Sequence, residues 1–331
     1  MRPGARLMGT LLLSRSEVEQ LLPLADCIEA VQGSFLAMAR GELLGPVVSA
    51  LHASSGGFHF KAAGMGGYMA GKLNANFPGN PARGRPTIQG LVILCDAEQG
   101  EPLGVFDSTA ITALRTAAAT AVAARFLARE GARVATIVGC GAQSRAQIRA
   151  LNLVRPLERV YAYDLEPLRA EKLAGELGVE LGIEISAVSD LRSALSVSQI
   201  CITCTPSKTP LIRQGDVNAG TFVAAVGADN GEKIEVDPAL MAEALVVPDL
   251  LEQAVRIGDL FHAVAGGFMT VSQVYAELPD LVAGRKPGRT SEDQVFIFDS
   301  TGVAVQDVAA AALVYQRAVA RGAGRSIEFA A

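Results

Sequence analysis

Three side chains in this sequence carry groups that could handle a small acid. Lys72 lies in KLNANF (72–77), where period-two alternation puts Lys72, Asn74 and Asn76 on one face of a strand and Leu73, Ala75 and Phe77 on the other. It could point into a cleft, although a strand lysine is ordinarily solvated. Arg115 interrupts an Ala-rich helical run, and a guanidinium there could grip a carboxylate through two parallel hydrogen bonds. Asp229, in VGADNGEK, falls just beyond an apolar strand, where open α/β sheets bind ligands; it also reads as a plain turn aspartate before Asn230 and Gly231. Composition and spacing alone leave the three unlinked.

Residues 133–144 (RVATIVGCGAQS) give a sharper pattern: a β-branched strand, then Gly139, Cys140 and Gly141, then a helix beginning near Ala142. Gly139 permits a tight turn, and Gly141 removes a side chain where phosphates approach the backbone. The helix N-terminus offers unpaired N–H groups to the pyrophosphate. Ser144 stands where a third glycine is usual and is still small enough for helix–strand packing. The next strand ends at Asp164, 25 residues after Gly139, where a carboxylate can accept both adenosine ribose hydroxyls and repel a 2′-phosphate. NAD(H) is therefore favoured, while Arg169 nearby keeps NADP(H) open.

These residues need a frame. Strand-like runs at 134–138, 160–163, 183–188, 200–203, 222–226 and 245–247 alternate mostly with helical segments, which predicts a doubly wound parallel sheet of Rossmann type. Before it, a helical pattern over 16–40, with Ser16 and Glu19 as a capping box, precedes strand-like runs at 58–61, 72–77 and 88–94. The Ala-rich stretch 109–130 suits a helix packed closely on a sheet. A short strand at 295–298 and an Ala-rich amphipathic helix at about 303–321 close the chain, the helix returning to the first domain. The expected architecture is α/β: a dinucleotide-binding domain, 117–299, inserted into a smaller α+β substrate and dimerisation domain, 1–116 plus 300–331.

Composition narrows the function. A chain of 331 residues that is 50% hydrophobic supports two well-packed domains. Its 29 Lys and Arg against 34 Asp and Glu, a net charge of -5 without blocks, argue against nucleic acid. No run of 18 consecutive apolar residues appears, and residues 1–13, with Arg2 and Arg6, lack a signal-peptide pattern, so no membrane partner and a cytoplasmic site are expected. Five scattered cysteines fit a reducing compartment. Cys201 and Cys204 form a CxxC, but within the β-branched run SQICITCT and without further ligands they read as buried strand residues; no metal is expected.

Five blocks together resemble the ornithine cyclodeaminase/mu-crystallin family: GKLNANFPGN (71–80), TALRTAAATAVAARFLA (112–128), VGCGAQSRAQ (138–147), VGADNGEKIEVDP (226–238) and FDSTGVAVQDVAAA (298–311). The resemblance implies that Lys72 is the active-site lysine, Arg115 the substrate-carboxylate arginine and Asp229 the catalytic aspartate beside the nicotinamide. Thr116 falls at a cofactor phosphate contact, and Ala142, Gln143, Thr205, Val226 and Ser300 complete the expected cofactor contacts. A homodimer with joined first-domain sheets is also implied. Relatives commonly carry a further carboxylate-binding arginine after a proline in the first domain, whereas Pro46 is followed by Val47, Val48 and Ser49. Lys61, eleven residues before Lys72, stands where many relatives have methionine, and is expected either to supply the missing charge or to be a solvated strand residue.

The expected activity is hydride transfer at the α-carbon of a small imino or amino acid. The alternatives are an ornithine cyclodeaminase, in which NAD is not consumed overall, and a non-catalytic mu-crystallin-like binding protein.

Overall fold

A computed structural model describes residues 9–329. Arg2 and Arg6 lie outside them. The chain divides into two compact units, Met1–Arg115 with Val303–Ala331, and Thr116–Gly302.

The first unit begins β1 (Thr10–Leu13), α1 (Arg15–Leu21), α2 (Leu24–Ala39), β2 (Leu43–Ala53), β3 (Gly56–Met65), β4 (Tyr68–Asn76), β5 (Ile88–Asp96) and β6 (Pro102–Asp107), and enters α3 (Ser108–Leu127). The single helical pattern predicted over 16–40 is two helices, because Pro23 lacks an N–H and holds an extended ψ of 136° before α2. The capping box also lies two residues earlier than expected: Ser14, not Ser16, has the extended backbone of a cap, and its N–H donates to Glu17 Oε2 at 2.8 Å.

In the second unit follow β7 (Val134–Val138), α4 (Ser144–Val154), β8 (Arg159–Tyr163), α5 (Pro167–Leu181), β9 (Glu184–Ala187), α6 (Leu191–Val197), β10 (Ile200–Thr203), β11 (Lys208–Ile212), β12 (Phe222–Ala225), β13 (Ile234–Val236), α7 (Pro238–Glu243), β14 (Leu245–Pro248), α8 (Leu251–Ala254), α9 (Asp259–Ala265), α10 (Leu278–Val282) and β15 (Phe296–Asp299). The first unit then resumes with α11 (Ala304–Arg321) and β16 (Arg325–Ile327).

The first unit's sheet runs β16-β1-β6-β5-β4-β3-β2, antiparallel except where β1 meets β6. Its pleat separates two rows. Lys61, Lys72, Val92 and Phe106 align across β3 to β6 on one face, which α11 covers while also packing on α2. On the other face Leu51 pairs with Phe58, and Phe60, Leu73 and Leu91 line up beside Ile93; all six are exposed, Leu51 by 70%. Alternation along each strand produces this division, since successive side chains point to opposite faces.

The second unit's sheet runs β14-β15-β12-β10-β7-β8-β9, parallel throughout. It is the doubly wound sheet that the alternating pattern predicts. The short strand near 295–298, set apart from that pattern by the sequence, is β15 and lies inside the sheet between β12 and β14. It arrives without a regular crossover helix directly before it, which hid its membership. Every residue of β10, β12 and β15 is buried, as expected of a sheet covered on both faces.

α3 is the one described helix long and apolar enough to cross a bilayer, but 72% of its most apolar window is buried within the protein. Ala117, Ala118, Ala119, Ala121, Ala123 and Ala124 are fully enclosed; small side chains let neighbouring elements come close.

Candidate active site

In the first unit, β4 presents Lys72 inward, α3 presents Arg115, and the first turn of α11 presents Asp307. All three side chains are at most 6% exposed. Lys72 Nζ donates to Asp307 Oδ1 at 2.9 Å and stands 2.8 Å from Oδ2, with a further bond to Thr112 Oγ1 at 3.3 Å. Arg115 donates through Nε to Asp307 Oδ1 at 3.0 Å and through Nη1 to Gln306 Oε1 at 2.8 Å. One carboxylate thus joins two buried cations.

Burial pushes Lys72 down to about 7; Asp307 opposes that fall, whereas the charges of Arg115 and Lys61 add to it. Burial also acts to raise Asp307, but Lys72 and Arg115 outweigh it and hold the carboxyl below its ordinary range. A lysine near neutrality can give or take a proton at working pH. Lys61 sits directly opposite Lys72 in the β3–β4 register, so both lysines rise from the same sheet face.

Asp307 is the residue that sequence reasoning missed. Its only local signal is an acid in the first turn of an Ala-rich helix, which ordinarily means a favourable helix-dipole position. Its burial beside Lys72 and Arg115 depends on contacts between residues 192 and 235 positions apart.

In the second unit the strand order reverses between β7 and β10, the crevice at which such sheets bind ligands. Gly139, just past β7, has φ +92°, and a Cβ there would stand 2.7 Å from Thr205 Cγ2 on the loop after β10. Glycine is therefore required twice over, for its backbone angle and for the close approach. A Cβ on Gly141 would meet nothing within 4 Å, leaving open space above the turn. The α4 helix begins at Ser144, two residues later than predicted near Ala142, with Gln143 at its cap position and no side chain capping it. Its first N–H groups suit an anion.

Asp164 follows β8 and accepts N–H bonds from Cys140 at 2.8 Å and Glu166 at 2.9 Å, which fixes its carboxylate beside the glycine turn. Arg169 pairs with Glu166 at 2.7 Å. Gln143 Oε1 and Ser300 Oγ are buried polar atoms without a hydrogen-bond partner. Such orphaned atoms at two expected contact positions, with the glycine turn and the uncapped helix, fit a dinucleotide.

Asp229 lies in this second unit, on the loop after β12, 53% exposed and paired with Lys233 Nζ at 2.7 Å. Thr116, the first residue of the unit, is buried on α3; Val226 is buried at the end of β12. Of the CxxC, Cys201 is enclosed in β10, its thiol pushed up to about 12 by burial, and Cys204 Sγ donates to Gly139 O at 3.1 Å. Neither behaves as a reactive thiolate.

A mixed antiparallel sheet with a buried lysine–aspartate–arginine cluster, and a doubly wound sheet with a glycine turn and strand-end acid, together define a dinucleotide-dependent class of α/β protein. The sequence profile of the ornithine cyclodeaminase/mu-crystallin family matches residues 8–322, and the chain belongs to that family. It is 37% identical to an archaeal alanine dehydrogenase dimer with bound NAD, at a TM-score of 0.94 covering 97% of this chain and 100% of that one. The Δ1-pyrroline-2-carboxylate reductase of Thermococcus litoralis, in complex with NADH and L-proline, is 32% identical at TM-score 0.93, covering 96% and 100%. The iminosuccinate reductase of Paracoccus denitrificans, in complex with NAD+, is 33% identical at TM-score 0.89, covering 97% and 100%.

Proposed function

We propose that this protein is an NAD(H)-dependent oxidoreductase that transfers a hydride at the α-carbon of a small imino or amino acid. The observation that carries this reading is the buried Lys72–Asp307–Arg115 cluster, in which one carboxylate joins a guanidinium to a lysine that burial pushes down to about 7. The activities of the three structural relatives support it.

Arg115 is the substrate-carboxylate anchor. Its Nε is committed to Asp307 and Nη1 donates to Gln306 Oε1, so a substrate carboxylate would be met through Nη2. Lys72 gives the imine nitrogen its proton during reduction and recovers one during oxidation. Placing such a group typically contributes about two to four orders of magnitude in rate. Asp307 keeps Lys72 and Arg115 oriented and charged. Asp229 is the second catalytic candidate, assigned by family resemblance. Bound nicotinamide supplies or accepts the hydride.

Gly139, Gly141, Ala142 and Gln143 would hold the pyrophosphate, Asp164 the adenosine ribose, and Thr116, Thr205, Val226 and Ser300 would complete the cofactor site. With Arg169 paired to Glu166, the carboxylate of Asp164 favours NAD(H) over NADP(H). Lys61 adds positive charge on the face of Lys72, which suits a substrate bearing a second carboxylate. We further infer a cytoplasmic homodimer formed through the exposed apolar face of the first unit's sheet. An apolar patch of this kind marks an interaction surface, and the archaeal relative is a dimer.

The test is a panel of imino acids with NADH and with NADPH, followed by nicotinamide absorbance, beside L-ornithine with catalytic NAD followed by ammonia release. Reduction of an imino acid with NADH is expected. Proline and ammonia formed from L-ornithine without net NADH change would overturn the reductase reading in favour of a cyclodeaminase, and dinucleotide binding without turnover of any substrate would favour a binding protein.

A further inference from the structure

Glu235, which the mechanism above does not use, is fully buried in the second unit, on β13. Its carboxylate takes four donors. Oε1 accepts Thr205 N–H at 2.6 Å and Thr205 Oγ1 at 2.7 Å, and Oε2 accepts Gly227 N–H at 2.7 Å and Thr203 Oγ1 at 2.8 Å. Thr205 and Gly227 belong to different loops, one leaving β10 and the other leaving β12. These strands are paired as far as Thr203 and Ala225, and the last bond between them is Val226 N–H to Thr203 O at 2.9 Å. Glu235 takes over where the ladder stops, bonding one N–H from each loop.

The clamp is itself anchored. The N–H groups of Glu235 and Val236 donate to Asp259 Oδ1 at 2.7 and 2.8 Å, and Leu260 N–H at the start of α9 donates to Asp299 Oδ2 at 2.8 Å, at the end of β15. A line of buried carboxylates therefore runs from the sheet to the two loops. Gly227 is part of the fit, because a Cβ there would lie 2.6 Å from Glu235 Oε1.

We propose that Glu235 is a positioning residue for the dinucleotide: by tying the loop after β10 to the loop after β12, it holds Thr205 and Val226 in place for the cofactor. This rests on the dinucleotide reading given above. The chemistry demands a carboxylate. The two hydroxyls could reverse and accept, but the two N–H groups cannot, and a carboxamide has only one oxygen. Glu235→Gln would set an NH2 against one of the loop N–H groups and release that loop, with little change in volume.

Isothermal titration of the full-length protein with NADH, and steady-state kinetics against NADH, test the clamp. Glu235→Gln is expected to weaken NADH binding and raise its KM by about tenfold or more, with kcat at saturating NADH within about threefold, because one buried N–H loses its acceptor while the Lys72 cluster is untouched. A merely structural role would lower the melting temperature and the active fraction without this split. Gly227→Ala is the second variant. It keeps the charge of Glu235 and forces the two loops apart, and the same loss of NADH affinity is expected. NADH affinity within twofold of wild type in either folded variant would overturn the clamp, as would a fall in kcat with KM for NADH unchanged. Wild-type protein that binds no NADH would overturn the dinucleotide reading and the clamp with it.

Discussion

Asp307→Asn is the most informative perturbation of the substrate cluster, since it removes one charge and keeps the shape. In the wild type that carboxylate stands 2.8 Å from Lys72 and 3.0 Å from Arg115 with all three groups buried. Two consequences follow. The first concerns stability: removing one partner from a buried ion network typically costs about 3–5 kcal/mol, which for a unit of this size lowers the melting temperature by on the order of 10 °C. Lys72 can limit this cost by losing its proton. The second concerns protonation. Asp307 is the group that raises Lys72 against burial, Arg115 and Lys61, so its neutralisation must move the lysine below its wild-type value of about 7. An opposite charge this close is worth about 1–3 pKa units. In the proposed mechanism reduction uses the ammonium form, so kcat/KM for imine reduction should fall as pH rises through the pKa of Lys72, and in the variant that fall should begin at lower pH. With a shift of one unit, the ammonium fraction at about pH 7.5 drops from roughly a quarter to roughly 3%, an eightfold loss from protonation alone. The assay is kcat/KM for reduction across the pH range, beside thermal unfolding of the same samples. A variant with an unmoved descending limb and an unchanged melting temperature would refute the claim that Asp307 sets the charge state of Lys72.

Three further predictions concern substrate, cofactor and assembly. Lys61→Met is expected to raise KM for a dicarboxylic imine by about tenfold or more while leaving a monocarboxylic imine little changed, since it removes one charge of a substrate-binding pair; an unchanged ratio of the two kcat/KM values would show that Lys61 does not touch substrate. Asp164→Ser removes the carboxylate proposed to repel a 2′-phosphate, so the NADPH to NADH ratio of kcat/KM should rise by about tenfold or more, and a constant ratio would remove Asp164 from the ribose site. Leu73→Glu places a charge in the centre of the apolar row between Phe60 and Leu91, and light scattering should report loss of the proposed dimer. A dimer that survives at micromolar concentration would place the interface elsewhere.

Much of this protein is legible in one dimension because its signals are local. The strand before Gly139, the turn, the helix and the acid at 164 form one continuous stretch, so the residues of the proposed dinucleotide site are fixed by spacing. Alternation along 72–77 likewise decides that Lys72 and Leu73 face opposite ways, because the side-chain period of a strand is two. What the sequence could not reveal are pairings between distant segments. Nothing near residue 307 announces that its carboxylate neutralises Lys72 and Arg115, and nothing near Glu235 announces that it binds Thr205 and Gly227. Both acids lie in ordinary-looking helix and strand contexts, and only packing turns them into the counter-charge of one cluster and the common acceptor of another. The local pattern thus determined which groups were present and which face each one took; tertiary structure decided which buried charges met, because desolvation makes an isolated charge costly and the fold must bring its partner from wherever the chain supplies one.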